Sequence, residues 1–201
     1  MTIKQRKQRH QEIIKKQIID CSWRIVEESG WNALTIRKIA DAIEYSVPVI
    51  YKHFENKEAI TTYFLNQGLE KLNNMLDEAI KTEVDPQKKI KKFAKGYWDF
   101  SVNFPKHYEI IFGLGIPSCD SVIKFEELGK ISNKMLTLID ELAKVNDTKN
   151  IDRYLKLKTL WSILHGIIAV NQLSIEQKEV VCPTDVFSDA IDGFSKSILY
   201  N

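Results

Sequence analysis

Leu34-Thr-Ile-Arg-Lys-Ile-Ala40, followed after five residues by Ser46-Val-Pro-Val-Ile-Tyr51-Lys-His53-Phe54, is the stretch on which the reading of this chain turns. Thr35 can cap a short helix carrying Ile36, Ile39, Ala40 and Ile43, although Lys38 stands where a capping box wants Glu or Gln. Ser46 is the next N-cap candidate. Pro48 falls in the first turn of its helix, where a missing N–H costs nothing, and that helix is expected to reach about Phe54. Only Ile43-Glu44-Tyr45 separates the two helices, the size of turn that sets two helices at a steep angle. On the second helix Val49 or Ile50 and Phe54 lie on one side for packing. Val47, Pro48, Tyr51 and Lys52 point elsewhere, as a helix presented to a groove requires. The spacing alone fits a nucleic-acid reader and a packed helical subdomain equally.

Outward from this stretch the apolar residues keep recurring at three- and four-residue spacing, with no strand-like alternation and no repeat. Ile14, Ile18, Cys21 and Ile25 form one stripe, which Ser29-Gly30 ends with a left-handed cap. Asn56 caps a fourth helix with Leu65, Leu69, Leu72 and Leu76 on one side, ending near Thr82. Asp85-Pro86 restarts the pattern with Ile90, Phe93, Ala94 and Tyr97, and Pro105 opens a short helix through Tyr108 and Phe112. Gly113-Leu-Gly-Ile-Pro117 reads as a loop. Phe125 to Leu142 is helical, Asn146 to Asn150 breaks it, and two amphipathic helices centred on Leu164 and Phe194 close the chain. The expectation is an all-α protein of about nine helices.

With 201 residues, 44% of them hydrophobic, the chain can bury a real core in one or two domains but is too short for a large multi-domain enzyme. Cys21, Cys119 and Cys182 are odd in number and far apart, so neither a disulfide framework nor a thiolate metal site is expected and a reducing cytoplasm fits. The basic start is followed by no apolar segment of a secretory signal, and no run is long and apolar enough to imply a membrane span. The net charge of +2 is unevenly spread: +3 in residues 1–60 and −1 in the rest. Lys4, Arg6, Lys7, Arg9, Lys15 and Lys16 stand against Glu12 alone in the first sixteen residues, a cluster that attracts phosphate without reading sequence or serves as a solvated tail.

The words of the central stretch are also familiar. Leu34-Thr-Ile-Arg-Lys-Ile-Ala40, then Ser46 to Phe54, Lys57 and Ile60, resembles the DNA-binding domain of TetR-type bacterial transcription regulators, over roughly Gln11 to Phe64. One departure matters: the turn that commonly reads A-G-V in that family is Ile43-Glu44-Tyr45 here. If the turn needs a positive φ, Glu44 costs about 1 kcal/mol more than Gly. The resemblance implies a helix-turn-helix DNA-binding domain over residues 1–56 and an effector-binding and dimerisation domain over 57–201. It implies that Thr35, Arg37, Ser46, Val47, Pro48, Tyr51, Lys52, His53 and Lys57 face DNA, with Tyr51, His53 and Lys57 on phosphates and the basic N-terminal arm on backbone or minor groove. Repression by binding a palindromic operator as a homodimer is the family's usual mode. For Thr35 and Ser46 capping alone is the bland alternative.

In the larger C-terminal part, Trp161-Ser-Ile-Leu-His165-Gly166 resembles the W-x-x-x-H-G signature of a subgroup of TetR-type regulatory domains. The 33 residues from Phe93 to Phe125 hold 8 of the 20 aromatics, which makes either a filled core or a cavity for a small, largely apolar effector. The candidate ligand residues are Trp98, Phe104, Tyr108, Phe112, Trp161 and His165. Leu160, Leu164, Ile168, Phe187, Ile191, Phe194 and Ile198 on the last two helices offer a dimer interface. No nucleophile motif, dinucleotide or phosphate loop, or metal-ligand spacing among His10, His53, His107 and His165 is present, so neither enzyme chemistry nor a cofactor or metal is expected. The rival reading is a helical interaction or dimerisation scaffold without ligand control.

Overall fold

A computed structural model describes residues 2–113, 125–148, 151–173 and 183–200. Among them there are nine α-helices and no strand. The chain divides into two compact units, Met1–Gly68 with Lys106–Gly115 and Leu69–Pro105 with Ile116–Asn201. The division falls inside a long helix and not at the 56/57 boundary expected for the DNA-binding domain.

The first unit begins with α1, Ile3–Ser29, which Thr2 and Gln5 start with a reciprocal capping box. The basic start is therefore helical from Ile3 onward. Its buried stripe is Ile14, Ile18, Cys21 and Val26; Ile25 is half-buried, one position off the expected stripe. Gly30 ends the helix at φ 77° and ψ 170°, a conformation with the positive φ anticipated but outside the left-handed helical well, its N–H donating to the Val26 carbonyl at 2.8 Å. A 3₁₀ turn, Trp31–Ala33, leads to α2, Ile36–Ala42. Next comes α3, Val47–Tyr51, which ends three residues before the expected Phe54.

α4, Lys57–Ile80, starts in the first unit, where Asn56 Oδ1 accepts the Ala59 N–H at 2.8 Å. Phe64 is buried where Leu65 was expected, and Leu65 is half-buried. The segment Lys106–Gly113, part of α6 (Pro105–Tyr108) and the π-helical turn Glu109–Gly113, belongs to this unit although some forty residues of chain separate it from Gly68. The Trp31 indole N–H donates to the Lys106 carbonyl at 2.9 Å, and the His107 ring stacks on Trp23 at 4.4 Å between centroids. Gly68 is required here. A Cβ on it would lie 2.9 Å from His107 Cδ2 and 3.0 Å from Ile111 Cδ1.

The second unit holds the rest of α4, α5 (Pro86–Asn103), α7 (Glu126–Val145), α8 (Arg153–Leu173) and α9 (Pro183–Leu199). Asp85 caps α5 through the Lys88 N–H at 2.9 Å with Pro86 in the first turn, as its sequence demands. Each of α5, α7, α8 and α9 packs against the other three. Their shared core takes Leu160, Leu164, Ile168, Ile191, Phe194 and Ile198, all at most 3% exposed, while Phe187 is half-buried with its ring 5.9 Å from that of Trp98. The residues expected to meet a second subunit are thus occupied within the chain. A periodic apolar stripe states that a face is covered but not by what. The expected loop beyond Gly113, the end of the break at 149–150, Cys119 and Cys182 lie outside the described residues.

Candidate nucleic-acid interface

The turn between α2 and α3 supplies the geometry of this site. Ile43 ends α2, and Glu44 adopts φ 58° with its N–H donating to the Asp41 carbonyl at 3.3 Å; the Tyr45 N–H reaches the Ala40 carbonyl at 3.0 Å. These two bonds form a Schellman cap, whose left-handed position glycine occupies most cheaply. The positive φ that the sequence left conditional is present, so Glu44 bears a cost of about 1 kcal/mol relative to Gly. The two bonds satisfy carbonyls of the last turn of α2 and redirect the chain within three residues.

Thr35 caps α2, its hydroxyl accepting the Lys38 N–H at 3.2 Å, so the bland role holds for this residue whatever else it does. Ser46 occupies the N-cap position of α3 without a side-chain cap bond, which leaves its exposed hydroxyl available. Arg37, Pro48, Tyr51 and Lys52 are exposed and Val47 and His53 are half-buried, while Ile39, Ala40, Ile50 and Phe54 are buried beneath them. Tyr51 keeps 52% of its surface open, unusual for an aromatic on a helix this well anchored. The sequence partition of α3 into packing and presented sides is reproduced, with Ile50 the deeper packing residue and Val49 half-buried.

Electrostatically the site is positive. Lys15 of α1 sits 5.8 Å from the centroid of the Phe54 ring, and burial followed by the charges of Lys15 and Lys52 lowers the pKa of His53 below its ordinary value of 6.5. Sequence reasoning had placed Lys15 in a basic tail; only the approach of α1 to Phe54 brings it to the candidate interface. Lys57 behaves differently from the other cations. It is half-buried and its ammonium lies 3.4 Å from the Trp31 carbonyl, so a phosphate would have to compete with that weak bond.

The candidate ligand residues fall in both units, Trp98, Phe104, Trp161 and His165 in the second and Tyr108 and Phe112 in the first. Within the second unit Tyr97, Trp161 and His165 form one cluster: the Tyr97 hydroxyl is 3.0 Å from His165 Nε2, and the Trp161 ring is 5.1 Å from the imidazole. Burial pushes His165 down to about 4, so the imidazole is neutral near pH 7. Trp98 stacks on Phe187, and Phe104 on Phe100 at 5.8 Å with the Lys71 ammonium 4.1 Å from its ring centroid. Tyr108 and Phe112 stack on each other at 5.1 Å within the first unit. Tyr97, fully buried at the centre of the first cluster, was not singled out; its four-residue spacing from Phe93 and its place in the apolar stripe read as core alone.

Among the described residues no helix is long and apolar enough to cross a membrane. Residues 18–62 match the model of a family described as bacterial regulatory proteins, tetR family. The chain is 22% identical over 193 residues to YobS, an HTH-type transcriptional regulator of Bacillus subtilis, covering 94% of both. It is 24% identical over 96 residues to the HTH-type transcriptional activator FasR of Mycolicibacterium smegmatis, which spans 48% of this chain and 44% of that protein. Its fold superposes on the transcriptional regulator FadR from Bacillus subtilis in complex with stearoyl-CoA with a TM-score of 0.67 at 17% identity, covering 92% of this chain and 97% of FadR. A bacterial regulatory protein of the tetR family from Rhodococcus RHA1 gives 0.68 at 13% identity, covering 92% and 96%. The helix-turn-helix segment is thus matched by the tetR family model over residues 18–62, and the fold of the chain is that of solved bacterial regulators, a tetR family member among them.

Proposed function

We propose that this regulator binds a two-fold symmetric DNA operator as a homodimer, represses by occupying it, and is released by a small, largely apolar ligand. The observation that carries the reading is the exposed, acid-poor surface of α2 and α3, in which Arg37, Ser46, Pro48, Tyr51 and Lys52 stand free over a buried apolar underside. Pro48 and Val47 offer only apolar contacts to base edges, for example a thymine methyl, so phosphates must supply much of the affinity. Tyr51, His53 and Lys57 are the phosphate candidates, with Thr35 doubling as cap. In functional terms residues 1–56 read DNA and 57–201 dimerise and sense the effector.

A dimer through α8 and α9 uses the faces those helices leave open. Leu155 and Val170 are 59% and 64% exposed on α8, Val186 is 46% exposed on α9, and a Cβ added to Gly166 or Gly193 would meet nothing within 4 Å. Two helices from each subunit then form a four-helix contact. The apolar class of effector is brought to this chain by FadR, whose structure holds stearoyl-CoA. Trp98, Phe104, Tyr108, Phe112, Trp161 and His165 remain its candidate contacts, and the W-x-x-x-H-G resemblance places Trp161 and His165 foremost. The mutual stacking of Tyr97, Trp161 and His165 favours the second reading, a dimerisation scaffold with a filled core.

Selection from a pool of random DNA duplexes tests the DNA reading: a two-fold symmetric consensus is expected, and enrichment of no sequence refutes it. Light scattering should give twice the chain mass of 23.3 kDa, and a clean monomer at micromolar concentration removes the dimer. Tryptophan fluorescence titrated with long-chain acyl compounds, with and without the selected duplex, tests control. By reciprocity a releasing ligand must bind more weakly in the presence of DNA.

A further inference from the structure

A cleft opens in the first unit where the 3₁₀ turn Trp31–Ala33, the start of α4 and the π-helical turn Glu109–Gly113 meet. Its volume is about 260 Å³, and none of the six candidate ligand residues lines it. Lys57 and Glu58, then Thr61 and Thr62, then Leu65 reach it from successive turns of α4, because residues four apart share one face of a helix. Trp31 and Ile110 are buried and form the floor with half-buried Leu65, while Glu58 and Thr62 are exposed at the rim. Ile110 comes from the π turn, a distortion frequent at functional sites.

Below its rim the cleft holds one charge. Lys57 is half-buried, and among the described residues its ammonium makes a single hydrogen bond, to the Trp31 carbonyl at 3.4 Å. An ammonium has three donors, so two remain for an anion, in surroundings that water screens less than the open surface. The Thr61 hydroxyl already donates to the Glu58 carbonyl at 3.0 Å and keeps only lone pairs, whereas the Thr62 hydroxyl can donate to a second oxygen. Glu58 opposes an anion, but from the exposed rim, where solvent screens its charge. The Trp31 indole N–H is taken by the Lys106 carbonyl, which leaves the ring as an apolar wall. The cleft therefore matches a molecule with a carboxylate at one end and an apolar body at the other. An apolar cavity of about 150 Å³ holds benzene, so this one takes roughly ten non-hydrogen atoms, a ring or branched chain beside the carboxylate. It falls below the range of about 300–1,000 Å³ typical of larger ligands, a long acyl chain included.

We infer that this cleft binds a small carboxylate with an apolar body, paired to Lys57, and that the bound molecule competes with DNA for that cation. The site acts by neutralising a phosphate contact and not by shifting helices, and it shares no residue with the effector contacts proposed above. Only the competition rests on the DNA-binding reading; the cleft binds its ligand whether or not the protein binds DNA.

Phenylacetate, with ten non-hydrogen atoms, is the probe. Calorimetric titration of the full chain should show binding at millimolar concentration or below. Neutral phenylacetamide, of the same shape, should bind about fivefold more weakly, because a charge-assisted hydrogen bond is roughly twice as strong as a neutral one. Lys57→Gln should lose that discrimination. Leu65→Trp, which fills the cleft and keeps the charge, should lose binding of both, with circular dichroism checking that each variant folds. On a mixed-sequence DNA duplex at matched ionic strength, saturating phenylacetate should lower the slope of log affinity against log salt by about 0.9 for each Lys57 it occupies, and phenylacetamide should leave the slope unchanged. Phenylalanine identifies the source of the carboxylate. Tighter binding than phenylacetate, lost in Glu58→Gln, assigns the site to amino acids, whose ammonium meets Glu58; weaker binding assigns it to simple organic acids, and either supports the site. Failure of phenylacetate to bind, or equal binding by the wild type and both variants, overturns the site. Binding that leaves the salt slope unchanged overturns the competition. Absence of any DNA binding by the wild type refutes the underlying reading instead, while the calorimetric titrations still decide the cleft.

Discussion

Replacing Gly68 by Ala probes how tightly the segment 106–113 is clasped into the first unit. The added Cβ would stand 2.9 Å from His107 Cδ2, 3.0 Å from Ile111 Cδ1 and 3.1 Å from His107 Cβ. Carbon atoms rest comfortably at 3.5–4.0 Å, so helix and segment must separate by roughly 0.5–1 Å. His107 cannot swing aside cheaply: it is 5% exposed and its ring lies against Trp23, which in turn packs on Phe64 at 5.3 Å. Overpacking of this kind costs about 1–3 kcal/mol, against which Ala gains about 1 kcal/mol of helix propensity over Gly. The expected net loss is up to about 2 kcal/mol, a fall in Tm of up to about 8 °C for a chain of this size. Thermal unfolding followed by circular dichroism measures it, and red-shifted emission from Trp23 and Trp31 would report loosening of the stack. A Gly68→Ala variant stabilised by the full propensity gain of about 1 kcal/mol would show that the segment is not held against α4 as described.

Further outcomes follow from the same geometry. Glu44→Gly relieves the positive φ and should raise Tm by a few degrees at most, about 1 kcal/mol, whereas Glu44→Val should lower it. Burial, Lys15 and Lys52 lower the pKa of free His53, and an approaching phosphate must raise it. DNA affinity should therefore increase as pH falls through the range in which His53 takes up a proton on binding, and His53→Gln should remove that increase in a titration series. His165 carries the opposite consequence for folding. Its pKa near 4 in the folded chain lies below the ordinary 6.5, so the unfolded chain binds the proton first. Stability is complete above pH 6.5 and is lost as pH falls toward 4, by up to about 3 kcal/mol from this group, and His165→Asn should flatten that part of a chemical-denaturation profile. If Gly166 lies in the dimer contact, Gly166→Ala should weaken the dimer in light scattering while leaving the monomer fold intact.

What the sequence by itself determined is local. Thr35, Asn56 and Asp85 act on N–H groups three residues away, and Pro86 needs no partner at all, so each signal and its hydrogen bond lie in one short window. The same holds for the turn at residues 43–45: three residues and a left-handed Glu44 suffice, and the helix-turn-helix is legible together with its presented side chains. What only the tertiary structure decided depends on which surfaces meet. The apolar stripes of α8 and α9 could have covered a second subunit or the chain's own interior, and the packing of α5, α7, α8 and α9 assigned Leu160, Leu164, Ile168, Ile191, Phe194 and Ile198 to the interior. The aromatic-rich middle of the sequence reads as one cluster, yet Tyr108 and Phe112 belong to the first compact unit and Trp161 and His165 to the second. Lys15 was one cation of a basic run until α1 packed over Phe54 and turned it toward His53. Hydrophobic burial is non-directional, so a periodic pattern encodes that a face must be covered; the partner is selected by shape complementarity among elements far apart in sequence.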